Sequence, residues 1–134
     1  MQRSLSETQQ IISTFQAPDR GNYPELAGYS RDELYQDFFG GGGLYLATHM
    51  LRSLRLQPDD VVLDLGCGKG ASSIFLARQR GVQVVALDLW TVAEYLNEKF
   101  STAGYRNHIL PINMDASQPL RLLVNSIQMV GHTA

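Results

Sequence analysis

Sulfur chemistry is almost absent from this chain. Cys67 is the only cysteine among 134 residues, which excludes an intrachain disulfide and any multi-cysteine metal centre. An excess of charge of one sign is equally lacking: 11 Lys and Arg stand against 13 Asp and Glu, for a net charge of −2. No stretch gathers the basic residues, which argues against duplex nucleic acid as a partner. Long apolar runs are missing too, the longest being a few residues against the roughly 20 needed to cross a membrane. Met1-Gln2-Arg3-Ser4 lacks the apolar core of a signal peptide. The plain reading is a cytoplasmic protein with no membrane partner. A hydrophobic content of 44% argues against disorder, and the length suits one domain rather than two.

What is present falls into two parts. Residues 1–56 read as a helical lead-in and cap. Ser4 with Glu7, and Ser30 with Glu33, have the spacing of capping boxes and predict helices over 4–16 and 30–39. Gly40 to Gly43 break the second, either as a flexible connector or to let Tyr35, Phe39 and Tyr45 wall a ligand. A third helix is predicted over 44–56, with Leu44, Ala47, Met50, Leu51 and Leu54 at helical spacing.

The period changes at residue 57, and the rest, 57–134, alternates strand and helix. A turn at Pro58-Asp59-Asp60 precedes Val61 to Leu65, a short apolar run that suits a parallel strand buried on both faces. Helices are predicted over 71–80, closed by Gly81, and 91–103, closed by Gly104. Further strands are predicted over 82–87 and 108–113. Such alternation predicts parallel βαβ units. Pro111 lies inside the third strand and cannot donate on both sides, so that strand belongs at an edge, as in the order 3-2-1.

The informative segment is Val62-Leu63-Asp64-Leu65-Gly66-Cys67-Gly68-Lys69-Gly70. Its glycines follow the first strand, where open α/β sheets bind ligands. A triphosphate loop is excluded, because Leu63 stands at its first glycine and Gly70 at its Ser/Thr. A dinucleotide fingerprint fits better: Gly66, Gly68 and Ala71 match its spacing, and Asp88 lies near the expected distance. Asp64 tips the balance. A carboxylate there is awkward beside a pyrophosphate but suits a ligand bearing an ammonium and a sulfonium, such as S-adenosylmethionine. The plainer alternative, compatible with the first, is that Asp64 orders the turn by accepting backbone N–H bonds.

Val62 to Gly70 resembles motif I of the class I (Rossmann-like) S-adenosylmethionine-dependent methyltransferases. Val85-Ala86-Leu87-Asp88 resembles their motif II, and Asn113-Met114-Asp115-Ala116 the acidic loop after the third strand. Gly28-Tyr29-Ser30 through Gly43-Leu44 is similar to the lead-in of small bacterial methyltransferases of unassigned acceptor. The resemblance covers about residues 25 to 120. It implies that Asp88 accepts bonds from both ribose hydroxyls, and that Asp115 and the amide of Ala116 read the adenine edge. Asp64, Gly66, Cys67, Gly68 and Gly70 complete the candidate cofactor site. Leu89 and Trp90 are candidates for the adenine face, with Trp90 equally placed to pack at a helix start. Cys67 has no basic partner and reads as a small filler rather than a nucleophile. Lys69 reads as solvated and His49 as a helix-surface residue. No residue is singled out as catalytic.

The resemblance implies seven strands in the order 3-2-1-4-5-7-6, of which three are evident, with a partial fourth over 122–130. The chain therefore reads as C-terminally truncated, its first strand an open edge prone to self-association. Three functions follow: methyl transfer from S-adenosylmethionine to a small-molecule acceptor, an inactive S-adenosylmethionine-binding fragment, and an NAD-dependent oxidoreductase domain.

Overall fold

The computed structural model describes residues 4, 6–7, 10, 20–37 and 43–117. Two units, Met1–Ser53 and Leu54–Ala134, are each built around their own contacts. In the first, both capping boxes form. The amide of Ser4 donates to Glu7 Oε2 at 2.8 Å and that of Glu7 to Ser4 Oγ at 3.3 Å. Ser30 N donates to Glu33 Oε2 at 2.7 Å and Glu33 N to Ser30 Oγ at 3.2 Å, opening helix α1, Arg31–Asp37. Most of the helix predicted over 4–16, and residues 38–42 with Phe39, lie outside the described residues.

Helix α2 is Gly43–Ser53, ending three residues sooner than predicted. Ser53 Oγ donates to the His49 carbonyl at 3.3 Å, a local bond that competes with further helix. The segment before α1 docks on α2 through one tyrosine. Tyr23 donates to or accepts from His49 Nε2 at 2.7 Å, meets Tyr45 edge to face at 4.8 Å and lies 5.3 Å under the Arg52 guanidinium. Arg52 is fixed by a two-pronged pairing with Glu25 at 3.1 and 2.9 Å and donates to the Asn22 carbonyl at 2.7 Å. His49 is exposed, as its place on the helix suggested.

The second unit is a three-stranded parallel sheet in the order β1-β2-β3: β1 Val61–Leu65, β2 Gln83–Asp88 and β3 Ile109–Asn113. Helices α3, Ala71–Arg80, and α4, Ala93–Thr102, connect them. The turn before β1 places Asp59 at φ 70, with Asp60 N bonded to the Gln57 carbonyl at 3.1 Å. After α4, Gly104 N donates to Ser101 O at 3.1 Å and Tyr105 N to Phe100 O at 2.8 Å. This paired closure ends a helix with its last carbonyls satisfied.

One core lies between the sheet and its helices: Ile74 and Ala77 of α3, Leu96 and Phe100 of α4, Val84 and Ala86 of β2, and Ile109 of β3, with Cys67 and Val82. Val85 and Leu87, pointing to the opposite face of β2, are also buried, which explains the unbroken apolar run. Among the described residues β3 forms an edge of the sheet, as predicted from Pro111. Val84 N bonds to His108 O and Met114 N to Asp88 O, so alternation turns the Pro111 nitrogen away from β2. β1 is less buried than its apolar run suggests. Val61 to Asp64 are only half-buried and Leu65 is 57% exposed, because among the described residues β2 is its single neighbour. The stretch 122–130 lies outside those residues. No helix among them is long and apolar enough to cross a membrane.

Candidate functional site

The strand register assembles the site. Leu65 of β1 pairs with Leu87 of β2 and Asp88 of β2 with Asn113 of β3, so all three strands end at one level. Gly66, Gly68 and Gly70 follow β1 at φ 70, 54 and 81, left-handed conformations that side-chain-bearing residues resist. The Leu87 carbonyl accepts from Gly66 N at 2.8 Å and Cys67 N at 3.1 Å, and Gly70 N donates to Cys67 O at 2.9 Å. A Cβ at Gly66 would meet nothing within 4 Å, whereas one at Gly70 would lie 2.5 Å from Phe100 Cε1. Gly66 therefore borders open space, and Gly70 is needed for the packing of α3 against α4.

Asp64, on β1, accepts at Oδ2. Oδ2 takes the hydroxyls of Ser72 and Ser73, each at 2.7 Å. The turn is thus anchored to the first turn of α3 through hydroxyls rather than backbone amides. That position also sets a carboxylate near the positive end of the helix dipole. Oδ1 takes no hydrogen bond among the described residues.

Asp88, 8% exposed, binds three backbone amides. Gly68 N donates to Oδ2 at 2.9 Å, and Trp90 N and Thr91 N donate to Oδ1 at 2.8 Å each. Burial raises its pKa, but the Thr91, Gly68 and Trp90 amides together with the Thr91 hydroxyl outweigh it and hold the group below its ordinary value. Oδ2 takes one backbone amide against two on Oδ1, and is the less occupied of the two oxygens by backbone donors.

No protein-family profile matches the chain. Over 54 residues, 40% of its length, it is 37% identical to phosphoethanolamine N-methyltransferase 1 of Arabidopsis thaliana, of which the match covers 11%. Over 116 residues it is 27% identical to glycine/sarcosine/dimethylglycine N-methyltransferase of Actinopolyspora halophila, covering 74% of this chain and 20% of that one. The relatives it matches over these stretches are S-adenosylmethionine-dependent methyltransferases. The fold is shared with an RNA methyltransferase from Salinibacter ruber solved with S-adenosyl-L-homocysteine. That match has a TM-score of 0.51 at 22% identity, over 56% of this chain and 50% of that chain. The chain thus spans only 11–20% of the curated methyltransferases it matches.

The remaining candidate positions sort by exposure. Leu89 is 46% and Trp90 87% exposed, so Trp90 is not packed at the start of α4. Asp115 Oδ1 accepts from Ser117 N at 2.8 Å. That amide, then the Ser117 hydroxyl, holds the Asp115 carboxyl below its ordinary value. Ala116 is exposed and Lys69 is too. Cys67 contributes through its backbone, while its side chain faces the core at 6% exposure. Burial, then the charges of Asp64 and Asp88, push its thiol up to about 12, as a filler rather than a nucleophile requires. Ser72, Ser73 and the side chain of Asn113 escaped the sequence reading. Two hydroxyls in the first helical turn, 8 and 9 residues after the acid near the end of β1, are the signal that could have found the first two.

Proposed function

We propose that this chain is the cofactor-binding part of an S-adenosylmethionine-dependent methyltransferase acting on a small amine, with residues 57–134 as the binding half-domain and 1–56 as its helical lead-in. One observation carries the reading. Gly68 N donates to Asp88 Oδ2, which brings the glycine turn after β1 and the acid at the end of β2 to a single mouth.

The residues there fit such a ligand. Gly66 leaves an open approach to the backbone, and Asp64 Oδ1, unused within the described chain, suits the ammonium of the methionine end. Asp88 Oδ2 suits a ribose hydroxyl, Leu89 the adenine face, and Asp115 with the Ala116 amide the adenine edge. Bound there, S-adenosylmethionine supplies a methyl group on a sulfonium. The protein's part is then to orient it and exclude water, with no dedicated base required. An amine acceptor is supported by the two relatives, both N-methyltransferases by name.

The test is calorimetric titration of the purified chain with S-adenosylmethionine, S-adenosylhomocysteine and NAD. Transfer of labelled methyl to phosphoethanolamine, glycine and sarcosine is measured next. The first two ligands are expected to bind. Tight NAD binding without S-adenosylmethionine binding would overturn the proposal, binding with transfer to one of the amines would support its amine part, and binding without transfer would leave the cofactor assignment standing.

A further inference from the structure

A side chain outside the glycine turn and the acidic positions controls how the acid of β2 is presented. Asn113 is the last residue of β3, directly opposite Asp88 in the strand register. Its Nδ2 donates across the strand gap to three backbone carbonyls: Asp88 at 3.1 Å, Leu89 at 2.9 Å and Thr91 at 3.3 Å. Three carbonyl oxygens around one atom fix the amide orientation, since only the nitrogen donates. Two hydrogens shared among three acceptors tie down the whole segment from Asp88 to Thr91.

That segment is the one whose amides, Trp90 N and Thr91 N, hold Asp88 Oδ1. The carboxylate is thereby turned so that Oδ2 faces Gly68. A carboxamide is suited to this task and an aspartate is not, because a carboxylate would meet three carbonyl oxygens with no hydrogen to offer. We propose that Asn113 is a positioning residue for the ribose end of the cofactor, acting through the 88–91 turn and not by touching the ligand. The proposal rests on the reading that Asp88 faces the ribose.

Asn113 is exposed, so its replacement leaves the core intact and separates positioning from folding. The full chain and its Asn113→Ala, Asn113→Asp and Asn113→Gln variants are compared by amide hydrogen exchange and by titration with S-adenosylhomocysteine. In Asn113→Ala and Asn113→Asp, exchange at Trp90 and Thr91 is expected to accelerate while that of α3 stays unchanged. Their Kd is expected to rise by about tenfold, the loss of a bond or two from a preorganised turn. Asn113→Gln, which keeps the carboxamide, is expected to recover protection and affinity together. Unchanged exchange at Trp90 and Thr91 in Asn113→Ala would overturn the clamp itself. Faster exchange with an unchanged Kd would overturn its role in binding. Failure of the unaltered chain to bind S-adenosylhomocysteine would sink the parent assignment of Asp88 and this one with it, whatever the exchange shows.

Discussion

Gly68 and Asp88, 20 residues apart in the chain, are joined by a 2.9 Å hydrogen bond from amide to carboxylate. The acid therefore belongs to the fold as well as to the candidate site. Asp88→Asn keeps the size of the side chain but sets an amide against donors that need an acceptor. Hydrogen bonds to a charged group are worth about 1.5–3 kcal/mol each. Asp88→Asn is expected to lower stability on the order of 2 kcal/mol and to weaken S-adenosylmethionine binding at least about tenfold. Urea denaturation with parallel calorimetry checks both. A variant as stable as the parent would show that the three amides find water instead.

The same carboxylate gives a pH dependence with a definite sign. Its pKa is lowered in the folded chain from 3.8, so the unfolded chain binds this proton first on acidification. Its stabilisation is complete above that value and is lost as pH falls through the folded pKa. Stability measured by urea midpoints is expected to decline below about pH 4, and less steeply in Asp88→Asn. Asp115 is shifted the same way, but solvent screens it and its share is small.

Cys67 is expected to resist alkylation. With its thiol pushed up to about 12 and its side chain in the core, the thiolate is a minute fraction at pH 8. Iodoacetamide labelling of the folded chain should run at least about a hundredfold slower than labelling in urea, where the thiol titrates near 8.5. Comparable rates in the two conditions would mean that the glycine turn opens readily.

How much of this was legible depends on how local its cause is. β1 over 61–65 and α3 over 71–80 agree with the boundaries read from apolar runs and flanking glycines, because period and turn chemistry act within a few residues. The edge position of β3 followed from Pro111 together with the 3-2-1 strand order. α4 starts at Ala93, two residues later than predicted, because Trp90 N and Thr91 N are turned toward Asp88 instead. That is a partnership the helical period does not encode. The partners of Asp64 on α3, the Asn113 clamp and the contact of Gly70 with Phe100 all depend on tertiary register. The sequence marks the residues involved but not which atoms meet.

The two outer glycines of the turn make the last prediction, because the same substitution tests different physics at each. Gly66 and Gly70 are both left-handed, at φ 70 and 81, so alanine pays a backbone cost of about 1–2 kcal/mol at either position. At Gly66 nothing lies within 4 Å of the added carbon, so stability falls by that amount alone. At Gly70 the carbon would stand 2.5 Å from Phe100 Cε1, 2.8 Å from Cζ and 3.1 Å from Leu96 Cδ2. Phe100 is a buried core residue at 1% exposure, and overpacking adds roughly 1–3 kcal/mol. Gly70→Ala is therefore expected to be the more destabilising, and Phe100→Leu to be less harmful in its presence than in its absence, a coupling that a double-mutant cycle reads directly. For the ligand the ranking reverses. Gly66→Ala puts its methyl into the open approach and is expected to abolish S-adenosylmethionine binding in a chain that still folds. Equal losses of stability at the two positions would show that backbone strain dominates and that the Phe100 contact relaxes; retained binding in Gly66→Ala would place the cofactor elsewhere.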